Sequence, residues 1–98
     1  MQKEVIFRLE TGTPVGLTIH TPSEAVDRHM AILYFHGGGL FYGQRDDLPA
    51  PYIDTFLREG CTLVCADYPL APEARLAEIT AAAAEIHDFF YREFCLPR

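Results

Sequence analysis

Two stretches of the chain are almost entirely apolar, residues 30–35 and, apart from Thr62 at its start, residues 62–66. An unbroken apolar run of this length is typical of a strand that is covered on both faces in a parallel sheet. Between them, Tyr52, Ile53, Phe56 and Leu57 recur at the spacing of one helix face. Pro49 suits the first turn of that helix and Gly60 its end, so the pattern predicts a strand, a helix over about 49–59, and a second strand.

The flanking segments extend this order. Residues 3–10 and 15–20 resemble two short strands, and the Gly and Pro of the intervening Thr11-Gly12-Thr13-Pro14 predict a hairpin turn. From about Arg75 a long helix is predicted, because apolar residues follow at steps of three and four: Leu76, Ile79, Ala83, Ile86, Phe90 and Phe94.

The predicted fold class is therefore α/β. A β-hairpin is followed by β-α-β-α, in a mixed sheet with parallel central strands joined by a right-handed crossover. Residues 1–98 form a single partial domain with incomplete layers, since 98 residues can enclose only a thin core. In such sheets, function concentrates at the carboxyl ends of the strands.

Composition and charge narrow the function classes. The net charge is −6 and the basic residues are scattered singly, so nucleic acid and anionic lipid are poor candidates as partners and we expect neither. No apolar run approaches the ~20 residues of a membrane span, and no signal peptide is recognisable, which favours a cytoplasmic protein. Cys61, Cys65 and Cys95 are interpreted as small buried hydrophobes in a reducing compartment, and we expect no metal or cofactor.

A run of three glycines follows the first apolar strand, in His36-Gly37-Gly38-Gly39. Acyl transfer passes through a tetrahedral intermediate with a negative oxygen, which backbone N–H groups in a dry site stabilise. Glycine leaves those N–H groups uncovered and permits the angles that turn them towards one point. The run therefore predicts an oxyanion-hole loop.

Two other interpretations of the glycines remain open from the residues alone. The run could be a turn that only connects a strand to a helix. It could also bind a dinucleotide, because Gly37, Gly39 and Gly43 are loosely spaced for this and Asp67 ends the next strand, where a ribose-binding acid would lie. Against the dinucleotide, residues 44–49 separate the glycines from the helix and include two acids that would repel phosphates.

Two motifs together resemble the hormone-sensitive-lipase-like branch of the α/β-hydrolases, which are serine esterases. The first is His36-Gly37-Gly38-Gly39 with Phe41 close behind, similar to the family's HGGG loop. The second is Asp67-Tyr68-Pro69-Leu70-Ala71-Pro72-Glu73, similar to its DYRLAPE segment. The resemblance covers the family's first third and implies a strand order that begins 1-2-4-3-5.

The resemblance also implies roles for single residues. Gly38 and Gly39 would supply oxyanion N–H groups, Gly37 would allow their close approach, and His36 would brace the loop. The second segment would be a scaffold that supports the loop through Asp67, Tyr68, Pro72 and Glu73. Pro69 departs from the pattern because it replaces an arginine, which puts any salt bridge through that arginine in doubt.

The chain lacks the other half of such an active site. No G-x-S-x-G elbow follows the loop, so the chain lacks a nucleophile with the acid and histidine that would come after it, and Ser23, the only serine, precedes the loop in a polar turn. Cys65 lies in an apolar strand where a thiolate would be costly. We interpret His20, His29 and His87 as surface or loop residues, so the chain has no predicted nucleophile.

These features predict an N-terminal portion of a carboxylic-ester hydrolase, acting on a small acyl ester in the complete protein and inactive alone. The strand 30–35 would expose an apolar edge without its outer neighbour. We therefore expect the chain to self-associate or to pair with the missing C-terminal part. The alternatives are a non-catalytic, self-associating α/β module and a dinucleotide-binding fragment.

Overall fold

A computed structural model describes residues 2–36, 43–69 and 74–95. The predicted order of hairpin, strand, helix, strand and helix is confirmed, and a π-helical turn extends the last helix. The elements are β1 Gln2–Arg8, β2 Pro14–His20, β3 Met30–Phe35, α1 Ala50–Arg58, β4 Cys61–Ala66, α2 Leu76–Phe90 and the π-helical turn Tyr91–Cys95.

The four strands form one mixed sheet in the order β1-β2-β4-β3. The hairpin strands β1 and β2 pair antiparallel, and β2 also pairs antiparallel with β4. The strands β3 and β4 pair parallel, in a register that runs from Met30 opposite Cys61 to Phe35 opposite Ala66. This is the strand order that the family resemblance implies, and it makes β3 an edge among the described strands.

The main core lies between the sheet and α2. Alternate residues of β2 and β4 point to this face because side chains alternate along a strand. They pack against four residues of α2 that are spaced by three or four. The buried members of this cluster are Leu9, Val15, Leu17, Ile19, Val64, Ala66, Tyr68, Ile79, Ala82, Ile86 and Phe90.

The apolar face of α2 differs in detail from the predicted one. Ala82 is buried, Ala83 is only half-buried, and Leu76 is 64% exposed. Leu76 is the first residue of the helix, which starts where the Glu78 carboxylate accepts a hydrogen bond from the Arg75 N–H at 2.8 Å. The first turn therefore stands clear of the core, and the buried stripe begins one turn later at Ile79.

The opposite face of the sheet is covered by α1, which packs against β4. Ile53, Phe56 and Leu57 are half-buried there as predicted, but Tyr52 is 59% exposed. A short helix of nine residues over a four-stranded sheet turns only a narrow stripe inward, and Tyr52 lies outside it.

The cysteines divide into two groups. Cys61 and Cys65 are buried within β4, as predicted, but Cys95 is exposed and that part of the prediction is wrong. Cys95 ends the π-helical turn, which contributes no buried residue. No disulfide joins the three described thiols.

The tight turn before β4 yields a stability prediction. Gly60 has φ +84, and a Cβ there would overlap the carbonyl oxygen of Val26, while the Gly60 carbonyl accepts a hydrogen bond from the Arg28 N–H at 2.9 Å. We expect Gly60→Ala to lower the free energy of unfolding by about 2 to 4 kcal/mol, measured by urea denaturation.

Gly12 provides the matched control for Gly60. It has φ +93 in the hairpin turn, yet a Cβ there would meet nothing within 4 Å. Gly12→Ala should therefore show only the backbone cost, about 1 kcal/mol. Equal losses for the two variants would contradict the proposed close approach at Gly60.

Candidate functional site

The candidate site lies at the carboxyl ends of β3 and β4. Because these strands are parallel and Phe35 is opposite Ala66, the next residues along each strand emerge at the same edge of the sheet. His36 follows β3, and Asp67 and Tyr68 follow β4. The structure therefore brings the beginnings of the two sequence motifs together.

Tyr68 holds the end of β3 in place. Its hydroxyl donates a hydrogen bond to the carbonyl oxygen of His36 at 2.9 Å, and the two rings stack with centroids 4.3 Å apart. Both residues are buried, and Phe35 meets the edge of the Tyr68 ring. Burial, and secondarily the nearby Tyr34, raises the pKa of Tyr68, so its hydroxyl keeps the proton that it donates.

Asp67 binds Arg45, which follows the glycine run in the sequence. One carboxylate oxygen accepts a hydrogen bond from the Arg45 backbone N–H at 2.7 Å, and the other forms an ion pair with the Arg45 guanidinium. The Asp67 backbone N–H donates to the carbonyl oxygen of Gly16 at 2.9 Å. Asp67 thus connects β2, the end of β4 and the segment that precedes α1.

The Arg45 guanidinium also contacts side chains of the hairpin strands β1 and β2. Its Nε donates to the Thr18 hydroxyl at 3.0 Å and its Nη2 lies 3.2 Å from a Glu4 carboxylate oxygen. The Thr18 hydroxyl donates to the same oxygen at 2.9 Å. A Cβ on Gly16 would overlap the guanidinium, so the glycine makes room for it.

The electrostatics agree with this arrangement. Although burial opposes the charge, the hydrogen bond and ion pair with Asp67 raise the pKa of Arg45. The pKa of Glu4 is lowered by hydrogen bonds from Gln2 and Thr18, and to a smaller extent by Arg45. Both shifts favour the charged forms of Arg45 and Glu4.

Two consecutive residues thus fix both flanks of the segment 37–42. Tyr68 binds His36, directly before the segment, and Asp67 binds Arg45, three residues after it. The sequence prediction assigned support of the loop to residues 67–73 but did not identify Arg45. Arg45 is the only basic residue between the glycines and α1, yet nothing in its spacing points to Asp67.

The second motif forms a salt bridge that does not involve position 69. Pro69 puts a salt bridge through the family's arginine in doubt, and in this chain the Asp67 carboxylate pairs with Arg45.

Several predicted site residues lie outside the described residues: Gly37, Gly38, Gly39, Phe41, Pro72 and Glu73. Their assigned roles stay predictions. The dinucleotide interpretation loses its acidic residue, because both carboxylate oxygens of Asp67 are already engaged by Arg45. Gly43 is described and has φ +109.

The remaining candidate side chains do not assemble into a second site. Ser23 is exposed in the β2–β3 loop, which meets Gly60 at the amino end of the sheet. His29 in the same loop and His87 on α2 are also exposed, and burial lowers the pKa of His20. Over residues 2–36, 43–69 and 74–95, no group of three His, Cys, Asp or Glu side chains could hold a metal ion. In the same ranges no helix is long and apolar enough to cross a membrane.

Several solved structures have a fold similar to that of this chain. Over 97% of its length the chain superposes on a Staphylococcus aureus protein of unknown function, with a TM-score of 0.81 and 28% identity, covering 34% of that chain. An α/β-hydrolase superfamily protein from Enterococcus faecalis matches 93% of the chain with a TM-score of 0.72 and 28% identity, over 32% of its own length. The Thermogutta terrifontis esterase Est2, with propionate bound, matches 92% with a TM-score of 0.76 and 22% identity, over 34% of its length.

Comparison at the level of sequence is more limited. No family model matches the chain. A stretch of 58 residues, 59% of the chain, is 36% identical to part of methylphloroacetophenone synthase from Cladonia uncialis and covers 2% of that protein. The chain has the α/β-hydrolase fold, and it spans about a third of the length of the solved structures it matches.

The ion pair at the site yields a second stability prediction. We expect Asp67→Asn to lower the free energy of unfolding by about 1 to 2 kcal/mol, since a part-buried guanidinium loses one of its two charged partners. Thermal and urea unfolding at neutral pH measure this. Asp54→Asn, at an exposed position on α1, is the matched control and should change stability by less than about 0.5 kcal/mol. Similar losses in both variants would contradict a structural role for the pair.

Cysteine reactivity provides a third prediction. Burial, with a smaller contribution from Asp46, raises the pKa of Cys65 to about 11. Because the thiolate is the reactive form, Cys65 should resist alkylation near pH 8 in the folded chain, whereas exposed Cys95 should react. Mass spectrometry after brief iodoacetamide treatment would identify the modified thiol, and Cys95→Ser should abolish the fast reaction. Rapid modification of Cys65 in the folded chain would contradict its burial within β4.

Proposed function

We propose that this chain supplies the oxyanion-hole half of a carboxylic-ester hydrolase active site, with the backbone N–H groups of Gly38 and Gly39 as donors. One observation supports this most directly: consecutive residues after β4 hold both flanks of the glycine segment, Tyr68 through His36 and Asp67 through Arg45. A turn that only connects two elements does not need anchors on both sides.

Anchoring matters because of how an oxyanion hole works. Donors that already point to the position of the developing charge need no reorganisation during the reaction, and they gain strength where water is excluded. Fixed flanks limit the conformations open to three consecutive glycines, which are otherwise the most flexible residues. The proposed role of Asp67, Tyr68 and Arg45 is therefore to position the donors, while the donors themselves contact substrate.

The chemical steps divide between this chain and other residues. The glycine N–H groups would bind the carbonyl oxygen of the ester and stabilise its negative charge after attack. The nucleophile, its general base and the acid that orients the base are not supplied by this chain, whose one serine lies at the other end of the sheet. We propose short acyl esters as the substrate class, since the Thermogutta terrifontis esterase with a similar fold was solved with propionate.

The isolated chain provides the first test. We expect it to hydrolyse p-nitrophenyl acetate no faster than its own Gly38→Pro variant and without a burst. A burst of p-nitrophenol that Gly38→Pro removes would show that the chain carries a nucleophile, which would overturn the division of roles proposed above.

A chimera tests the oxyanion role itself. Residues 1–98 would replace the matching third of the Thermogutta terrifontis esterase, whose remainder supplies the other groups. In a chimera that folds and hydrolyses esters, Gly38→Pro removes one donor and should lower kcat by about 100-fold or more. Gly12→Ala, in the distant hairpin turn, should leave kcat unchanged.

Positioning is tested in the same chimera. Asp67→Asn should lower kcat with little change in KM, because a displaced donor weakens transition-state stabilisation more than ground-state binding. An active chimera whose kcat is indifferent to Gly38→Pro would refute the proposed oxyanion donor.

A further inference from the structure

Two residues in the middle of β2 are unusual for an interior strand. Residues 15, 17 and 19 belong to the core beneath α2, so Gly16 and Thr18 between them point to the opposite face of the sheet. A glycine inside a strand weakens it, and a buried hydroxyl is costly unless it is hydrogen-bonded. Thr18 is only 1% exposed. Both residues therefore carry a local cost, which indicates that the space beside them has a further use.

The Arg45 guanidinium occupies this space. A Cβ on Gly16 would lie 2.7 Å from the central carbon of the guanidinium, closer than real Cβ atoms approach. The Thr18 hydroxyl accepts a hydrogen bond from Arg45 Nε at 3.0 Å and donates one to a Glu4 carboxylate oxygen at 2.9 Å. We call Gly16, Thr18 and Glu4 the guanidinium site. All three residues lie on the hairpin strands β1 and β2.

The guanidinium site determines how Arg45 faces Asp67. A guanidinium is planar and rigid, so holding one part of it determines where its other N–H groups point. With Nε on Thr18 and Nη2 3.2 Å from Glu4, Nη1 points to the Asp67 carboxylate. The Arg45 backbone N–H also donates to Asp67, at 2.7 Å. Residue 45 is therefore held both at its main chain and at the end of its side chain.

Gly16 also contacts Asp67 through the main chain. Its carbonyl oxygen accepts a hydrogen bond from the Asp67 N–H at 2.9 Å. One glycine of β2 thus binds the backbone of Asp67 and leaves room for the cation that the Asp67 side chain binds. Both contacts act on the residue that anchors the segment after the glycine run.

We infer that Gly16 and Thr18 are positioning residues of the proposed ester-hydrolase site. They hold the Arg45 guanidinium against Asp67 and so fix the flank of the glycine segment that precedes α1. The inference rests on the oxyanion role proposed above for the glycine run. The effect of Gly16 and Thr18 on the reaction is indirect, through Arg45. The hairpin, although distant from the glycines in sequence, thereby takes part in orienting the oxyanion donors.

The geometry at Gly16 allows a selective change. A Cβ there would meet the guanidinium, which is the movable end of a long side chain, and no rigid backbone. Gly16→Ala should therefore displace Arg45 with little disturbance of β2. Gly12→Ala is the matched control, because it makes the same change in the same hairpin at a position where a Cβ meets nothing within 4 Å.

Steady-state kinetics of the chimera with the Thermogutta terrifontis esterase tests the inference. Gly16→Ala and Thr18→Val should each lower kcat about tenfold with little change in KM, since a displaced donor costs less than the roughly 100-fold expected when one is removed. Thr18→Ser keeps the hydroxyl and should retain the kcat of the parent chimera. Gly12→Ala should not change kcat.

A double variant separates positioning from general damage to the fold. If Gly16 acts through the ion pair, adding Gly16→Ala to Asp67→Asn should lower kcat no further than Asp67→Asn alone, because both changes interrupt the same interaction. Independent effects would multiply, and that result would overturn the inference.

The inference and the proposed function fail in different ways. A chimera whose kcat falls with Gly38→Pro, but not with Gly16→Ala or Thr18→Val, would overturn the positioning role and leave the oxyanion role intact. A chimera indifferent to Gly38→Pro would refute the oxyanion role itself.

Hydrogen exchange in the 98-residue chain tests the guanidinium site without catalysis, whether or not the chimera is active. Arg45 Nε–H donates to a buried hydroxyl, so NMR should detect its slow exchange with solvent. Gly16→Ala should raise that exchange rate about tenfold or more, whereas Gly12→Ala should leave it unchanged. An exchange rate that Gly16→Ala does not alter would overturn the inference.

Discussion

The parallel pairing of β3 with β4 is the constraint on which the candidate site depends. Parallel strands end on the same side of the sheet, so the residues after Phe35 and those after Ala66 must emerge together although about thirty positions separate them in sequence. Slipping the register by two residues would move Tyr68 by roughly 7 Å relative to His36. The hydrogen bond and ring stacking between them would then be impossible. The α1 crossover fixes the site because it fixes which strands are neighbours.

The Arg45 network extends this constraint over the rest of the sheet. A single guanidinium contacts Glu4 on β1, Thr18 on β2 and Asp67 after β4, over the space that Gly16 leaves open. A part-buried ion pair adds little net stability over an apolar alternative, but leaving one charge without its partner is costly. The network therefore contributes more to the specificity of the fold than to its free energy of unfolding. It favours the one arrangement in which the hairpin, the end of β4 and the segment after the glycines meet.

The sequence predicted the elements well and the tertiary pairings less well. Unbroken apolar runs located β3 and β4, and the three-to-four spacing located α2, because both patterns reflect local geometry that burial enforces. Exposure at Tyr52, Leu76 and Cys95 was missed, since it depends on where each helix overhangs the sheet. The motif resemblance, and not periodicity, supplied the position of β4 between β2 and β3.

Arg45 is the clearest example of a contact that the sequence does not predict. Its partner Asp67 is 22 positions away, and an arginine followed by two aspartates is typical of a solvated loop. The departure at Pro69 put a salt bridge through position 69 in doubt, but it did not indicate Arg45. A charged pair between residues so far apart in sequence is determined by the tertiary fold.

The thin core and the open edge have the same physical origin. In this four-stranded sheet α2 packs on one face of β4 and α1 on the other. β4 is accordingly the strand whose residues are most completely buried. Strands further from β4 are less completely covered by the helices. In β3 no charged side chain makes the exposed positions polar. Natural edge strands are protected by charge, by proline or by a covering element. β3 contains no charge and no proline, so its sequence is suited to a neighbour. Whichever polypeptide supplies that neighbour also determines what faces the glycine loop, because the loop leaves the sheet at the carboxyl end of this same strand.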